Sequence, residues 1–316
     1  MYKYFENRNN VDSLNNAFKN IKFNIKDKIK FPDYTALLIQ GNNKETGKQV
    51  RITWFSFIKE DGKYVFADFS TIKKMWERIE TPHVKFYYRK GRLWEYPLKK
   101  ENFKTEAQYN RFLFQGADFK DLQKMENIYV QASHLLGIDK KEKIEYYIVS
   151  SYDELRIATD GVKTNAIAVY YLKENRIVSP FTYVPAEIVK ALLDELGNPP
   201  VFFFEGFSSL IVNKIENKKN TLSEENVKII IEGSYSLNDT ISEKTKFDTG
   251  SYEFRVIADS FIQYLIEKYS LDTFKEYFKL ANYDNYDEIF QKIYGKSTNE
   301  LEKEWRSYLM ISNVSK

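Results

Sequence analysis

The sequence predicts an α+β protein, with a β-rich N-terminal module and a second domain that joins a small mixed sheet to a helical C-terminal half. Three observations support this prediction. The first 80 or so residues read mainly as strands, and apolar and polar residues alternate over residues 21–31, as in a half-buried strand. Strand-like runs surround one amphipathic helix between residues 84 and 178, and helical periodicity dominates from Pro185 onward. The predicted domains are residues 1–79 and 80–316.

The N-terminal module is predicted to contain strands over residues 21–31, 34–40, 49–58 and 63–69. In the first strand, apolar residues such as Phe23 and Ile25 alternate with lysine and asparagine, which predicts one buried and one solvated face. Asp-Gly at 61–62 is a strong hairpin signal between the last two strands. Ser70 is expected to cap a short helix that ends at Ile79.

The second domain alternates strands and helices before it becomes helical. Strands are predicted at 84–88, 93–98, 144–149, 166–172 and 176–178, and helices at 119–136, 185–196, 201–213 and around 256–265. Ser-x-x-Glu capping boxes at 151–154 and 297–300 predict two further helix starts. Residues 223–250 are polar and are predicted to be irregular, apart from an apolar stretch at 227–231.

Composition excludes several kinds of function. The 316 residues include no cysteine and only two histidines, so disulfides, iron–sulfur clusters and a cysteine nucleophile are excluded. Lysine and arginine number 48 against 45 acidic residues, and this balance provides no case for nucleic acid as a partner. No apolar run is long enough for a transmembrane segment, and residues 1–10 lack the apolar core of a signal peptide. A soluble chain is therefore expected.

Two neighbouring segments carry the pattern most suggestive of chemistry. Residues 185–193 read Pro-Ala-Glu-Ile-Val-Lys-Ala-Leu-Leu, and residues 204–207 read Phe-Glu-Gly-Phe. They resemble the catalytic core of the gluzincin metallopeptidases, the peptidase MA superfamily that includes thermolysin and aminopeptidase N. In that family a helix carries His-Glu-x-x-His, and a following helix supplies a glutamate as the third zinc ligand. The order of strands and helices extends the resemblance over roughly residues 80–316.

The resemblance implies a role for each matching position. Glu187 matches the general base and Glu205 the third ligand, whereas Ala186 and Lys190 occupy the positions of the two histidines. Alanine has no donor atom and an ammonium group repels a divalent cation, so the zinc expected for the family is predicted to be lost and Glu187 to be vestigial. No cofactor is expected.

Two interpretations of Lys190 remain open. Its ammonium group either pairs internally with Glu205, and with Glu187, in place of the metal, or it points into water while Glu205 pairs elsewhere. The two histidines, His83 and His134, are expected to have structural roles.

Three functions follow as hypotheses. The first is a catalytically inactive, zinc-free pseudopeptidase that binds a peptide or protein partner. The alternative is a peptidase-fold hydrolase with metal-independent or weak-metal chemistry based on Glu187 and Glu205. The third is a binding module associated with the cell envelope, in which the β-rich part makes the contacts. The resemblance implies a bacterial, exported protein in an extracytoplasmic or envelope location, with its signal absent from this sequence, and a cytoplasmic location is the alternative.

Overall fold

A computed structural model describes most of the chain. The described residues are 20–30, 34–60, 63–66, 72, 74, 76–88, 119–149, 154–155, 158, 167–218, 222–233, 235–243 and 251–314. The fold belongs to the α+β class, as predicted, with an N-terminal antiparallel sheet, a small mixed sheet and a helical C-terminal half. The predicted strand at 93–98 and the Ser151 capping position lie outside the described residues.

The chain divides into two compact units. The first comprises Met1–Glu77 and Ser150–Thr164, and the second comprises Arg78–Val149 and Asn165–Lys316. Within the first unit, the hydroxyl group of Tyr34 donates a 2.8 Å hydrogen bond to Glu154, whose side chain is buried. This bond joins two residues of the first unit that are 120 positions apart in the sequence.

The first unit contains a four-stranded antiparallel sheet. Its strands are β1 (Ile21–Lys30), β2 (Thr35–Asn43), β3 (Gln49–Glu60) and β4 (Lys63–Phe66), paired in sequence order. Glu60 lies opposite Lys63, as the Asp-Gly signal for a hairpin predicts.

The prediction of a buried apolar face on β1 is wrong. Phe23 is 51% exposed and Ile25 is 64% exposed. β1 is the edge strand of its sheet, and its pairing with β2 shifts register between Ile25 and Asp27. Phe23 and Ile25 both precede this shift and lie on one face of the strand. The alternation therefore predicts that they share a face, but whether that face is covered depends on what packs against the sheet.

The second unit is built on a five-stranded mixed sheet. Its strands are β5 (Glu77–Glu80), β6 (Val84–Tyr88), β7 (Ile144–Ile148), β8 (Val169–Tyr171) and β9 (Arg176–Ser179), in the order β5-β6-β7-β9-β8. β7 pairs in parallel with β6 and β9, while β8 is antiparallel to β9. The predicted helix through Ile79 is wrong at its end, because residues 77–80 pair with β6 as a strand.

Nine α-helices lie in the described residues of the second unit. They are α1 (Phe119–Leu136), α2 (Pro185–Leu193), α3 (Val201–Ile215), α4 (Glu224–Glu232), α5 (Leu237–Ile241), α6 (Tyr252–Lys268), α7 (Leu271–Leu280), α8 (Tyr286–Tyr294) and α9 (Thr298–Val314). None of these helices has both the length and the hydropathy required to span a bilayer.

The prediction that residues 223–250 are irregular is wrong for the described part of this segment, which forms α4 and α5. The hydroxyl groups of Ser223 and Ser236 cap the two helices by accepting hydrogen bonds from backbone N–H groups three residues later. The Ser297–Glu300 capping box is present at the start of α9, where the Glu300 carboxylate accepts from the Ser297 amide at 2.8 Å.

Helices α3 and α6 form the centre of the second unit. The ring of Phe202 contacts that of Phe254 at 5.6 Å, and Gly206, one turn further along α3, faces Ala258, one turn further along α6. The two helices therefore run in the same direction. α2 packs against both α1 and α3, which brings residues of α2 next to the first half of α3.

Gly206 sets the distance between α3 and α6. A Cβ atom at this position would lie 2.7 Å from the backbone carbonyl of Ala258 and 2.6 Å from the side chain of Ile262. We expect Gly206→Ala to destabilise the protein by about 1–3 kcal/mol through overpacking, although alanine is the better helix former. Chemical denaturation measures this loss, and Lys214→Ala on the exposed side of the same helix is the control. A stability equal to that of the wild type would contradict the close packing.

Candidate functional site

Helix α2 presents two charged side chains to the neighbouring helix. Pro185 occupies the first helical position, where its fixed φ suits a helix start and no amide hydrogen is needed. Most apolar residues of α2 are fully buried, so packing holds the helix in place; they are Ile188, Val189, Ala191, Leu192 and Leu193. Glu187 and Lys190 are three residues apart and therefore project from adjacent turns on one side of α2.

The structure brings Glu187, Lys190 and Glu205 together in a group that we call the charged triad. The Lys190 Nζ donates to Oε1 of Glu187 at 2.8 Å and to Oε1 of Glu205 at 2.7 Å. The side chains of the three residues are 8%, 12% and 18% exposed, in the order Glu187, Lys190 and Glu205. Of the two interpretations of Lys190, this geometry corresponds to the internal ion pair, extended to both glutamates.

The electrostatics of the charged triad favour the ionised ammonium group. Burial by itself lowers the pKa of Lys190, but the charges and hydrogen bonds of Glu187 and Glu205 outweigh it, so the pKa is raised above its ordinary value. Two carboxylates that would repel each other in a buried site are thus bridged by one cation. Removal of that cation would leave two unpaired buried charges.

The donor set at this position does not fit zinc. Ala186, at the first histidine position, contributes only a methyl group, and the Lys190 ammonium has no lone pair to donate. Both carboxylates already accept hydrogen bonds from Lys190. In the described part of the chain, no three histidine, cysteine, aspartate or glutamate residues are arranged to hold a metal ion.

A fourth ionisable residue, Asp259 on α6, adjoins the charged triad. Ser209 lies one turn after Glu205 on the same face of α3, and its hydroxyl group donates to Oδ2 of Asp259 at 2.7 Å. The other carboxylate oxygen, Oδ1, is buried and has no hydrogen-bond partner. The pKa of Asp259 is raised to about 7, and burial is the largest cause of this rise. The Ser209 hydrogen bond and the charges of Arg255 and Lys190 lower the pKa, whereas the charge of Glu205 adds to the rise.

Asp259 makes stability depend on pH in a predictable direction. Its pKa is higher in the folded protein than the ordinary value of 3.8, so the folded state binds more protons between pH 4 and pH 7. The free energy of unfolding should therefore fall by about 2–4 kcal/mol across this range, relative to Asp259→Asn. Urea denaturation at several pH values measures the difference. The matched variant Asp272→Asn removes an exposed carboxylate and is the control. If the free energy of unfolding depended on pH in the same way in the wild type and both variants, the prediction would be contradicted.

Asp259 was not predicted as a site residue. The signal was present, because Asp259 is the only charged residue among the ten residues from Val256 to Leu265. A charge in an otherwise apolar stretch of helix marks either a solvated position or a buried polar contact. Only the packing of α6 against α3 shows that Asp259 makes a buried polar contact.

Neither of the two histidines belongs to the charged triad. The Nδ1 atom of His83 lies 2.5 Å from the Glu126 carboxylate, and its ring stacks on that of Tyr129 at 4.2 Å. Both partners belong to α1, so His83 joins the start of β6 to that helix. His134 is an exposed residue of α1.

The fold and the site together define a class: an α+β protein in which two adjacent helices carry a buried glutamate–lysine–glutamate triad. Comparison with known proteins adds no family to this description, since no family model and no curated protein matches the chain.

Proposed function

We propose that the second unit is a peptidase-like scaffold without zinc or hydrolytic activity, and that it binds a peptide or protein partner. The observation that carries this proposal is the position of the Lys190 ammonium group, which bonds both Glu187 and Glu205. In the gluzincin arrangement that the sequence resembles, these two carboxylates would act as the general base and as a zinc ligand. Here each already pairs with a cation that belongs to the chain.

The charged triad also opposes the chemistry of a metallopeptidase. A general base must accept a proton from a metal-activated water, and it is most effective when its carboxylate is free to approach that water. In the charged triad, Oε1 of Glu187 already accepts a hydrogen bond from the Lys190 ammonium group, so this carboxylate is not free. The same ammonium group repels any divalent cation that approaches Glu205.

Elemental analysis tests this function directly. Protein purified without chelators should contain far less than one zinc per chain and should not cleave a random peptide library. The same zinc-free protein should nevertheless bind peptides from this library, as measured by fluorescence anisotropy. Stoichiometric zinc together with cleavage that is lost in Glu187→Gln would overturn the proposal.

A second candidate is a metal-independent hydrolase. It is favoured by one observation: Asp259, whose pKa is raised to about 7, adjoins Glu205 and Lys190 of the charged triad. A carboxyl group with a pKa near neutrality is a usual component of acid–base catalysis. Turnover of a peptide or glycoside library that disappears in both Glu187→Gln and Asp259→Asn would support it.

The proposed location is extracytoplasmic or at the cell envelope, as the resemblance to exported bacterial proteins implies. Fractionation of cells that express the full natural chain should recover it outside the cytoplasm. Recovery with cytoplasmic markers alone would contradict this part of the proposal.

A further inference from the structure

The charged triad has acceptor oxygens that no residue in the described part of the chain uses. Lys190 bonds Oε1 of Glu187 and Oε1 of Glu205, and no described residue donates to the Oε2 atom of either side chain. Both side chains retain a small exposed fraction, 8% for Glu187 and 18% for Glu205. Solvent therefore reaches one edge of the triad, and two carboxylate oxygens are available near it.

Asp259 provides a second, independent indication of a ligand. Its Oδ1 atom is buried without a donor, beside Glu205. With Asp259 ionised, three carboxylates face the single ammonium group of Lys190. Arg255, one turn earlier on α6, is exposed, so water screens its charge more than that of Lys190. The buried part of the cluster thus has an excess of negative charge that an additional cation would neutralise.

We propose that the exposed edge of the charged triad binds the primary ammonium group of a peptide or protein ligand. The Oε2 atoms of Glu187 and Glu205 accept its hydrogen bonds, and the neighbouring Asp259 contributes the negative charge that offsets the repulsion from Lys190. The inference rests on the proposed peptide-binding function and names the group that the ligand carries.

An ammonium group fits this edge better than a metal ion does. It has three donors and a single charge, so two glutamate oxygens satisfy most of its hydrogen bonds. A divalent cation would require six or more oxygen ligands and would experience twice the repulsion from Lys190. The ammonium group has two sources in a peptide, the N-terminus and a lysine side chain.

Binding should be linked to the ionisation of Asp259. The charged groups that face this carboxyl are Glu205 on α3, Lys190 on α2 and Arg255 on α6, and Ser209 donates to it. A bound cation favours the ionised carboxylate and lowers its pKa. If that pKa falls by about one unit on binding, affinity should rise about fourfold from pH 6 to pH 7.5.

The test uses the full chain labelled with ¹⁵N, titrated by NMR with three peptides. Ala-Ala-Ala-amide has a free N-terminus, acetyl-Ala-Lys-Ala-amide has only a lysine ammonium group, and acetyl-Ala-Ala-Ala-amide has neither. We expect at least one amine-bearing peptide to bind more tightly than the blocked peptide. Its affinity should rise about fourfold from pH 6 to pH 7.5. The peptide that binds more tightly identifies the source of the ammonium group.

The variant Asp259→Asn should bind the amine about eightfold more weakly at pH 7.5 and should lose the pH dependence. Asp272→Asn, the matched exposed variant, should retain both. Equal affinity for the blocked peptide, no binding of either amine, or pH-independent binding by the wild type would overturn the ammonium proposal. Zinc content and peptide cleavage, measured on the same sample, decide the proposed function separately.

Discussion

Replacing Lys190 by methionine should destabilise the second unit by about 3–5 kcal/mol at pH 7, because the substitution leaves two buried carboxylates without a cation. The methionine side chain is nearly as long as that of lysine, so the loss of stability reflects the missing charge more than a change in packing. Chemical denaturation at pH 7, followed by circular dichroism, measures the loss.

Two variants separate this effect from a general loss of a lysine. Lys275→Met removes an ion pair of the same i, i+3 spacing whose partner, Asp272, is 91% exposed, and it should cost less than about 1 kcal/mol. Adding Glu187→Gln and Glu205→Gln to Lys190→Met should recover a large part of the lost stability. A loss that persists in this triple variant would show that Lys190 stabilises by packing and not by its charge.

The double variant Ala186→His with Lys190→His should acquire one zinc per chain. The two imidazoles would lie four residues apart on α2, next to Glu205, and so would complete a His₂Glu donor set with one open position. Removal of Lys190 also removes the cation that occupies the space between the carboxylates. Zinc at a thousandfold excess over its dissociation constant should stabilise the variant by about 4 kcal/mol.

Zinc binding by this variant is measured by elemental analysis and by thermal unfolding with and without the metal. Each single histidine variant should bind far more weakly, and the addition of Glu205→Gln to the double variant should abolish the tight site. Binding should also weaken below about pH 6.5, because protonated imidazole cannot coordinate a metal. A folded double variant that takes up no zinc would contradict the proposed correspondence with the gluzincin site.

The sequence predicted much of the helical half because its signals are local. Pro185 and Ser297 act on residues within one turn, and the apolar face of α1 repeats every three or four residues over its length. The same local rules failed where contacts with a distant part of the chain decide the structure of a segment. Residues 77–80 form a strand because β6 lies beside them, and the alternation in β1 does not reveal that its Phe23 face is exposed.

In the candidate site too, the sequence predicted the local features and missed those that depend on tertiary contacts. The spacing on α2 is enough to place Ala186, Glu187 and Lys190 on neighbouring turns, and the identities of these residues are enough to predict a poor zinc site. By itself, the sequence therefore determined the α+β class, most of the helices and the absence of histidine at positions 186 and 190.

Only the tertiary structure decided where the Lys190 ammonium group points and which residue joins it. Its contact with Glu205 spans two helices, and the position of Asp259 depends on the close approach of α6 to α3 at Gly206. These distances depend on how helices pack, and packing depends on side-chain shapes far apart in the chain. The pKa of Asp259 depends on the same burial, which no local pattern of residues specifies.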